Sequence, residues 1–164
     1  MKLLGETIVL KKLLSLSLLV ATVSAHAAPN VWRIGTGMGF SEYSIEDTNG
    51  RALWISCNED AGPDYDNSAY LQIKDTTYEN SDSEYPLTFL IDDETEVAPP
   101  ASTNWRNGGN AWYDFTHEMA KARKIDVYFN NKRITTFKPT LASIKNVASG
   151  LVECEPMSSK VWED

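Results

Sequence analysis

Carboxylates are the side chains of this chain best able to do chemistry, and one stretch concentrates them. Residues 59–96 contain twelve acidic residues against one basic residue, Lys74, a formal charge of −11. The acids are Glu59, Asp60, Asp64, Asp66, Asp75, Glu79, Asp82, Glu84, Asp92, Asp93, Glu94 and Glu96. Such a stretch could supply the acid and base of a glycosidase, bind calcium, or attract a cationic partner.

The composition around these acids argues against a glycosidase. The acid catalyst of such an enzyme needs an apolar pocket that raises the pKa of its carboxyl group. The acids here lie among Asn, Ser, Thr and Asp, which is typical of solvated loops. The acidic stretch therefore favours a non-catalytic function.

A calcium loop is matched only in part by residues 64–68, whose sequence is Asp-Tyr-Asp-Asn-Ser. Ala69 stands where the loop needs a glycine for its sharp turn, and Asp75 stands where it needs a bidentate glutamate. A site of the EF-hand type is not expected. Whether calcium binds the acidic loops in another geometry stays open at this stage.

His117 is the remaining candidate for catalysis, and its surroundings predict a solvated surface residue. It falls on the polar side of a predicted helix, and the sequence contains no G-x-S-x-G nucleophile motif. His117 and two cysteines that are expected to pair with each other do not make a zinc ligand set. We predict no enzyme, no catalytic residue, no metal and no cofactor.

The interpretation that remains is binding of a cationic protein. Acidic loops steer such a partner towards the molecule, and aromatic side chains supply the desolvated contacts. Trp105 and Arg106, in a Pro- and Gly-rich connection, form a second candidate anchor. The predicted partner-binding residues are Asp60, Asp64, Tyr65, Asp66, Tyr78, Glu79, Asp82, Glu84, Trp105 and Arg106.

The overall charge argues against nucleic acid and membrane surfaces as partners. The chain has a net charge of −8, whereas phosphate and anionic lipid surfaces attract clustered Lys and Arg. The charge is also unevenly distributed, since residues 106–145 contain eight basic residues against three acidic ones, a net of +5. This bipolar arrangement allows a homodimer.

The first 27 residues have the pattern of a signal peptide. Lys11 and Lys12 precede an apolar segment, 13–23, and 25–27 read Ala-His-Ala, a small-x-small cleavage pattern. The apolar segment is shorter than the roughly 20 residues of a membrane span. We therefore predict export to the periplasm of a single domain, 28–164. Cys57 and Cys154 are expected to form a disulfide there, with a free thiol pair as the alternative.

Alternating apolar residues predict most of the fold. Strands are expected at 32–37, 40–47, 51–58, 70–74, 86–92, 125–129 and 133–138, with Asn49-Gly50 as a hairpin turn and Asn130-Asn131 as the turn between the last two strands. One helix is expected from Asn110 and another over 140–149, closed by Gly150. Their predicted buried residues are Trp112, Phe115, Met119 and Ala122, and Leu141, Ile144, Val147 and Leu151. The fold class is therefore α+β and β-rich, a small antiparallel sheet or sandwich with two short helices and one disulfide.

In this plan the chain resembles the small periplasmic immunity proteins that bacteria pair with type VI secretion effectors attacking peptidoglycan. The similarity lies in an exported acidic domain, a hairpin carrying Trp54 and Cys57, and the segments 112–115 and 125–129 leading to Cys154. The resemblance implies an inhibitor that occludes the active site of a basic, lysozyme-like toxin. The late segment also resembles invasion-associated B-type proteins, which implies the alternative of a non-enzymatic envelope accessory protein.

Overall fold

Alternating apolar residues in the first half of the chain build a five-stranded antiparallel sheet. The structure, a computed structural model, describes residues 28–80 and 86–160. Its first sheet contains β1 (Arg33–Gly37), β2 (Phe40–Glu46), β3 (Arg51–Asn58), β4 (Ser68–Ile73) and β5 (Thr76–Glu79), in that order. The predicted signal peptide, 1–27, and two predicted binding residues, Asp82 and Glu84, lie outside the described residues.

The second sheet is also antiparallel and has the order β7-β6-β8-β9. Its strands are β6 (Leu87–Ile91), β7 (Thr95–Val97), β8 (Ile125–Phe129) and β9 (Lys132–Phe137). Asn130 and Asn131 both take positive φ and make the tight turn that the sequence predicted. Two strands, β5 and β7, were not predicted, because each is short and polar and resembles the acidic loops around it.

The first helix, α1 (Arg106–Met119), begins five residues earlier than predicted. Asn110 as its N-cap was wrong, because Trp105 occupies that position and Gly108 and Gly109 lie in the first turn. These glycines serve close packing rather than a turn. A Cβ atom at Gly108 would lie 2.0 Å from the Ser102 carbonyl oxygen, and one at Gly109 would lie 2.3 Å from the Ser158 hydroxyl oxygen.

The second helix, α2 (Leu141–Val152), begins after Thr140, whose side chain accepts a hydrogen bond from the Ser143 N–H. Gly150 does not close this helix as predicted. It lies inside the helix, where an added Cβ atom would be 2.1 Å from the Tyr43 hydroxyl oxygen. A short 3-10 helix, Met157–Ser159, follows. Within the described residues, neither helix is long and apolar enough to cross a membrane.

One hydrophobic core joins both sheets and both helices. The rings of Phe89 in β6 and Phe115 in α1 pack 5.3 Å apart, and the Trp112 indole N–H donates to the Cys154 carbonyl oxygen at 3.1 Å. The apolar residues predicted for the two helices are buried apart from Leu141, which is 60% exposed, although Ala122 lies beyond the end of α1 rather than on its face. The fold class is therefore confirmed as α+β and β-rich, with two antiparallel sheets and two helices.

The predicted disulfide is present in the structure. Cys57 at the end of β3 is bonded to Cys154 just after α2, with their Cα atoms 5.6 Å apart. Both cysteines are buried. The bond therefore holds the segment after α2 against the end of the first sheet.

Asp47 holds the turn between β2 and β3 against the second sheet. Its buried carboxylate accepts hydrogen bonds from the N–H groups of Asn49 and Arg51 and, at 2.6 Å, from the Thr135 hydroxyl in β9. Burial acts to raise the pKa of the Asp47 carboxyl group, but these hydrogen bonds and the Arg51 charge outweigh it. The pKa therefore lies below its ordinary value of 3.8.

We expect this carboxylate to make stability depend on acid pH. Because the pKa is lowered in the folded state, the stabilisation is fully present above about pH 4 and is lost as the pH falls through the folded-state value. Urea unfolding should show that Asp47→Asn lowers the free energy of unfolding at neutral pH by about 1–3 kcal/mol and flattens its decline in acid. An Asp75→Asn control at an exposed turn should behave like the wild type; identical acid profiles for Asp47→Asn and the wild type would contradict this role.

Candidate protein-binding site

The loop between β3 and β4, residues 59–67, is held in one conformation by two buried asparagines. The Asn58 amide group donates to the carbonyl oxygens of Gly62 and Tyr65 at 2.9 and 2.8 Å, and its oxygen accepts from the Ala61 N–H. The Asn67 side chain accepts from the Asn58 N–H at 2.7 Å and donates to the Glu155 carbonyl oxygen at 2.8 Å. The loop is therefore bound both to itself and to the segment after α2.

Asp66 joins this acidic loop to the segment that precedes α1. Its carboxylate accepts hydrogen bonds from the Ser102 hydroxyl at 2.6 Å, the Thr103 N–H at 2.9 Å and hydroxyl, and the Asn104 amide at 3.2 Å. These contacts bring Trp105, which is 55% exposed, and Arg106 close to the loop. The two anchor regions predicted from the sequence therefore lie side by side.

We expect Asp66 to be important for stability, unlike the neighbouring acids. Asp66→Ala leaves the Thr103 N–H and hydroxyl without their acceptor and should lower the free energy of unfolding by about 2 kcal/mol in urea titrations. Asp64→Ala is a matched control in the same loop, because Asp64 is exposed and should change stability by no more than about 0.5 kcal/mol. Equal effects of the two substitutions would contradict the bridging role of Asp66.

A cleft opens beside Tyr65 at the turn between β1 and β2. It has a volume of about 480 Å³ and is lined by Gly37, Met38, Phe40, Glu42, Ala61 and Tyr65; we call it the edge pocket. The Tyr65 ring, 58% exposed, meets the Phe40 ring edge-on with their centres 6.1 Å apart. Met38 is 94% exposed. The pocket therefore combines apolar walls with one carboxylate, that of Glu42.

The disulfide brings two further acids to the same part of the molecule. Glu153 and Glu155 flank Cys154 and are exposed. Burial raises the pKa of the Tyr43 hydroxyl, and the carboxylates of Glu59 and then Glu153 raise it further, so both acids act on one buried ring. We call the resulting cluster the acidic end: Glu42, Glu59, Asp60, Asp64, Asp66, Glu153 and Glu155.

A larger groove of about 830 Å³ lies between α1 and the segment after α2. Arg106 and Tyr113 line its helix side, and Glu153 and Glu155 line the other side. Tyr113 is 54% exposed and stacks on the ring of His117, with the ring centres 3.7 Å apart. The groove therefore adds an exposed aromatic residue to the acidic end.

The carboxylates of the acidic end lie close together, and they form no ion pairs within the described residues. The ion pairs found there are Arg51–Asp47, Lys121–Glu118, Lys124–Asp93, Lys124–Asp126 and Arg133–Asp126. Two cations do lie at the acidic end, since Arg106 lines the groove and Lys160 donates to the carbonyl oxygens of Asn58 and Glu59. Seven carboxylates against two cations leave this end strongly negative.

Cations concentrate at the opposite end of the first sheet. Arg51 donates to the Ile134 carbonyl oxygen in β9, a strand that also carries Lys132 and Arg133. The eight residues of β3 separate this end from the acidic loop by about 24 Å. The acidic loop and these cations therefore lie at opposite ends of the first sheet, and Asp47 and Asp126 pair with Arg51 and Arg133 there.

Comparison with known proteins assigns the chain to a family. Residues 30–148 match the YfjT family model. This chain belongs to the YfjT family. It is 34% identical over 141 residues to YfjT of Escherichia coli K12, covering 84% of this chain and 90% of that protein. It is 31% identical over 147 residues to YkfB of the same strain, covering 88% and 95%. Both relatives are described as uncharacterised proteins, and no solved structure matches.

The matched segment of the YfjT family includes both sheets and α1 and ends inside α2. It therefore contains Cys57, the acidic loop and the edge pocket. Cys154 and its flanking acids follow the matched segment. The part of the acidic end that comes from the first sheet thus belongs to the family domain.

Two predicted binding residues of this YfjT-family protein, Tyr78 and Glu79, lie outside the acidic end. Tyr78 in β5 is half-buried, and its ring packs edge-on against Phe129 with the centres 4.8 Å apart. Glu79 is exposed opposite Tyr70. Tyr78 therefore packs against the core, and binding of a partner by either residue stays a prediction.

Several residues of the site were not predicted as binding residues from the sequence: Met38, Phe40, Glu42, Glu59, Glu153 and Glu155. The sequence did contain one signal for Glu153 and Glu155. They flank Cys154, so a disulfide to Cys57 places them at the end of the first sheet. No comparable signal existed for Glu42, because its position beside the pocket depends on the register in which β2 pairs with its neighbours. Among the described residues, no group of three or more His, Cys, Asp and Glu side chains is placed to hold a metal ion.

Proposed function

We propose that this YfjT-family protein is a non-catalytic periplasmic protein that binds a cationic protein through its acidic end. The observation that carries the proposal is the clustering of carboxylates at this end. Seven carboxylates lie there against two cations, and none of the seven forms an ion pair within the described residues. A basic partner would relieve their mutual repulsion and would be steered to this surface.

The rigidity of the acidic loop supports the same function. Hydrogen bonds hold the loop to itself, to Glu155 and to Thr103, through the side chains of Asn58, Asn67 and Asp66. The disulfide fixes the adjoining segment. Asp60, Asp64 and Tyr65 remain exposed on this loop. A surface that is already ordered loses little conformational entropy on binding, which favours affinity.

The partner we propose is a basic peptidoglycan-degrading enzyme of the lysozyme type, as the resemblance to type VI immunity proteins implies. Such an enzyme binds an extended glycan in a groove. In the proposed complex the acidic loop, residues 59–67, fills that groove. Tyr65 and Met38 would supply apolar contact beside the carboxylates. The mechanism is steric occlusion of the active site without turnover.

Affinity capture with matched variants tests this function. The mature chain is immobilised, exposed to periplasmic extract at low salt, and the retained proteins are identified by mass spectrometry. We expect a basic cell-wall hydrolase that elutes as salt is raised, and that Asp60→Lys/Asp64→Lys no longer retains. Retention of only anionic proteins, or equal retention by the variant, would overturn the proposal and favour the envelope accessory protein.

A further inference from the structure

The first strand of the first sheet has an open edge. β1 pairs with β2 on one side, and within the described residues no strand pairs with its other side. All five of its residues are exposed. An exposed edge of this kind presents unpaired N–H and C=O groups that can pair with another chain.

Both edges of the second sheet are protected, in contrast to β1. β7 has three residues and contacts α1. β9 carries Lys132 and Arg133, and the Arg51 side chain donates to the Ile134 carbonyl oxygen along it. Short length, covering elements and basic residues are devices that block unwanted strand pairing. β1 also lies near α2, but all five of its residues stay exposed, and Arg33 is its one basic residue.

The hairpin turn fixes which groups of β1 face the open edge. Met38 and Gly39 form a two-residue turn, both with positive φ, and Gly37 lies opposite Phe40. The residues that flank such a turn form a hydrogen-bonded pair, and bonded pairs alternate along the strands. Gly35 and Arg33 therefore bond to β2, while the N–H and C=O groups of Ile34 and Thr36 point to the open edge.

The two glycines of β1 are not required by the fold of the chain itself. Neither Gly35 nor Gly37 has positive φ. A Cβ atom at Gly37 would meet nothing within 4 Å, and one at Gly35 would meet the Glu42 carboxylate at 3.9 Å. Glycine inside a strand weakens it, and it often marks the close approach of another backbone. Here the missing side chains leave the edge pocket and the Glu42 carboxylate open from the β1 side.

We propose that β1 binds an extended segment of the cationic partner as an added strand, with a Lys or Arg side chain of that segment in the edge pocket. The aliphatic part of that side chain would contact Met38, Phe40 and Tyr65, and its charged end would reach Glu42. The charge of the surface favours this occupant over a second copy, because each copy carries a net charge of −8. The inference rests on the proposed function, since it assumes a cationic partner.

Selection from a random peptide library displayed on phage tests the strand addition. We expect the wild-type protein to enrich peptides in which Lys or Arg alternates with β-branched or aromatic residues. Thr36→Pro removes an outward N–H while keeping the β1–β2 ladder, and it should weaken an enriched peptide at least tenfold. Thr77→Pro is the matched control, because Thr77 occupies the equivalent outward position on β5. Absence of enrichment, or equal binding by Thr36→Pro, would overturn the inference.

Two further measurements locate the peptide without a proline substitution. Hydrogen exchange of the Ile34 and Thr36 amides should slow when the enriched peptide binds. Glu42→Gln should weaken binding about tenfold, whereas Glu46→Gln, on the same face of the same strand, should not. Unchanged exchange at both amides, or equal loss in the two glutamine variants, would contradict the assigned site.

Failure of the strand addition is distinguishable from failure of the proposed function. If Thr36→Pro still captures the basic hydrolase from extract while Asp60→Lys/Asp64→Lys does not, the acidic end binds the partner without β1. If the wild type captures no basic protein, the proposed function itself fails. Sedimentation that shows a wild-type dimer abolished by Thr36→Pro would assign the edge to a second copy and overturn the inference.

Discussion

Replacing both Cys57 and Cys154 with serine is expected to lower the free energy of unfolding by up to about 4.5 kcal/mol, the largest stability change of any substitution considered. The bond spans 97 residues, so it removes much of the freedom of the unfolded chain. Urea unfolding of the wild type in reductant should approach the curve of the double variant. The same reductant should leave the unfolding curve of the double variant unchanged. This control excludes effects of the reductant other than reduction of the disulfide. A loss below about 1 kcal/mol would contradict a structural role for this bond.

The same substitution should disturb the acidic end. Asn67 reaches the Glu155 carbonyl oxygen, and Trp112 reaches the Cys154 carbonyl oxygen, so two hydrogen bonds still restrain the segment after the bond is lost. We therefore expect residues 153–155 to become more mobile rather than to detach. Faster hydrogen exchange of these amides, with the exchange of β2 and β3 unchanged, would show this local effect.

The second large effect is expected on the rate of association with the partner. Asp60→Lys/Asp64→Lys replaces two exposed, unpaired carboxylates with cations. It should slow association with the captured basic protein by about 10- to 100-fold at low salt. The difference should shrink at about 1 M salt, where the Debye length is about 3 Å. Stopped-flow or surface-based kinetics over a salt series measures both quantities.

A matched charge reversal far from the acidic end controls for total charge. Glu94→Lys/Glu96→Lys changes the net charge by the same amount and affects two exposed residues, Glu94 in the β6–β7 turn and Glu96 in β7. Asp92 bonds this turn to the N–H groups of Arg123 and Lys124, just beyond the far end of α1. The 14 residues of α1 span about 21 Å, so the two surfaces are well separated. Equal slowing by both variants would contradict a localised binding surface.

Local sequence patterns predicted the elements whose signals are themselves local. The Asn49-Gly50 hairpin, the apolar face of α1 and the Asn130-Asn131 turn each depend on residues close in sequence. The start of α1 was missed because Gly108 and Gly109 resemble a turn. Their actual role is close approach to Ser102 and Ser158, which no local pattern reveals.

The candidate site was harder to predict because distant segments build it. Tyr65 was predicted from its acidic neighbours, but the pocket it lines also needs Met38, Phe40 and Glu42 from the first hairpin. In the sequence, the acids of 59–96 form one stretch that two predicted strands interrupt. The structure instead pairs Asp93 with Lys124 and buries part of Tyr78, while Glu153 and Glu155 join the acidic loop through the disulfide.

The most direct measurement of the proposed inhibition is the release of soluble fragments from purified peptidoglycan by the captured hydrolase. Increasing amounts of the wild-type protein should reduce the rate to near zero at a one-to-one ratio. Asp60→Lys/Asp64→Lys should require a large excess, and Glu94→Lys/Glu96→Lys should match the wild type. A rate that stays unchanged in the presence of excess, fully bound wild-type protein would contradict occlusion of the active site.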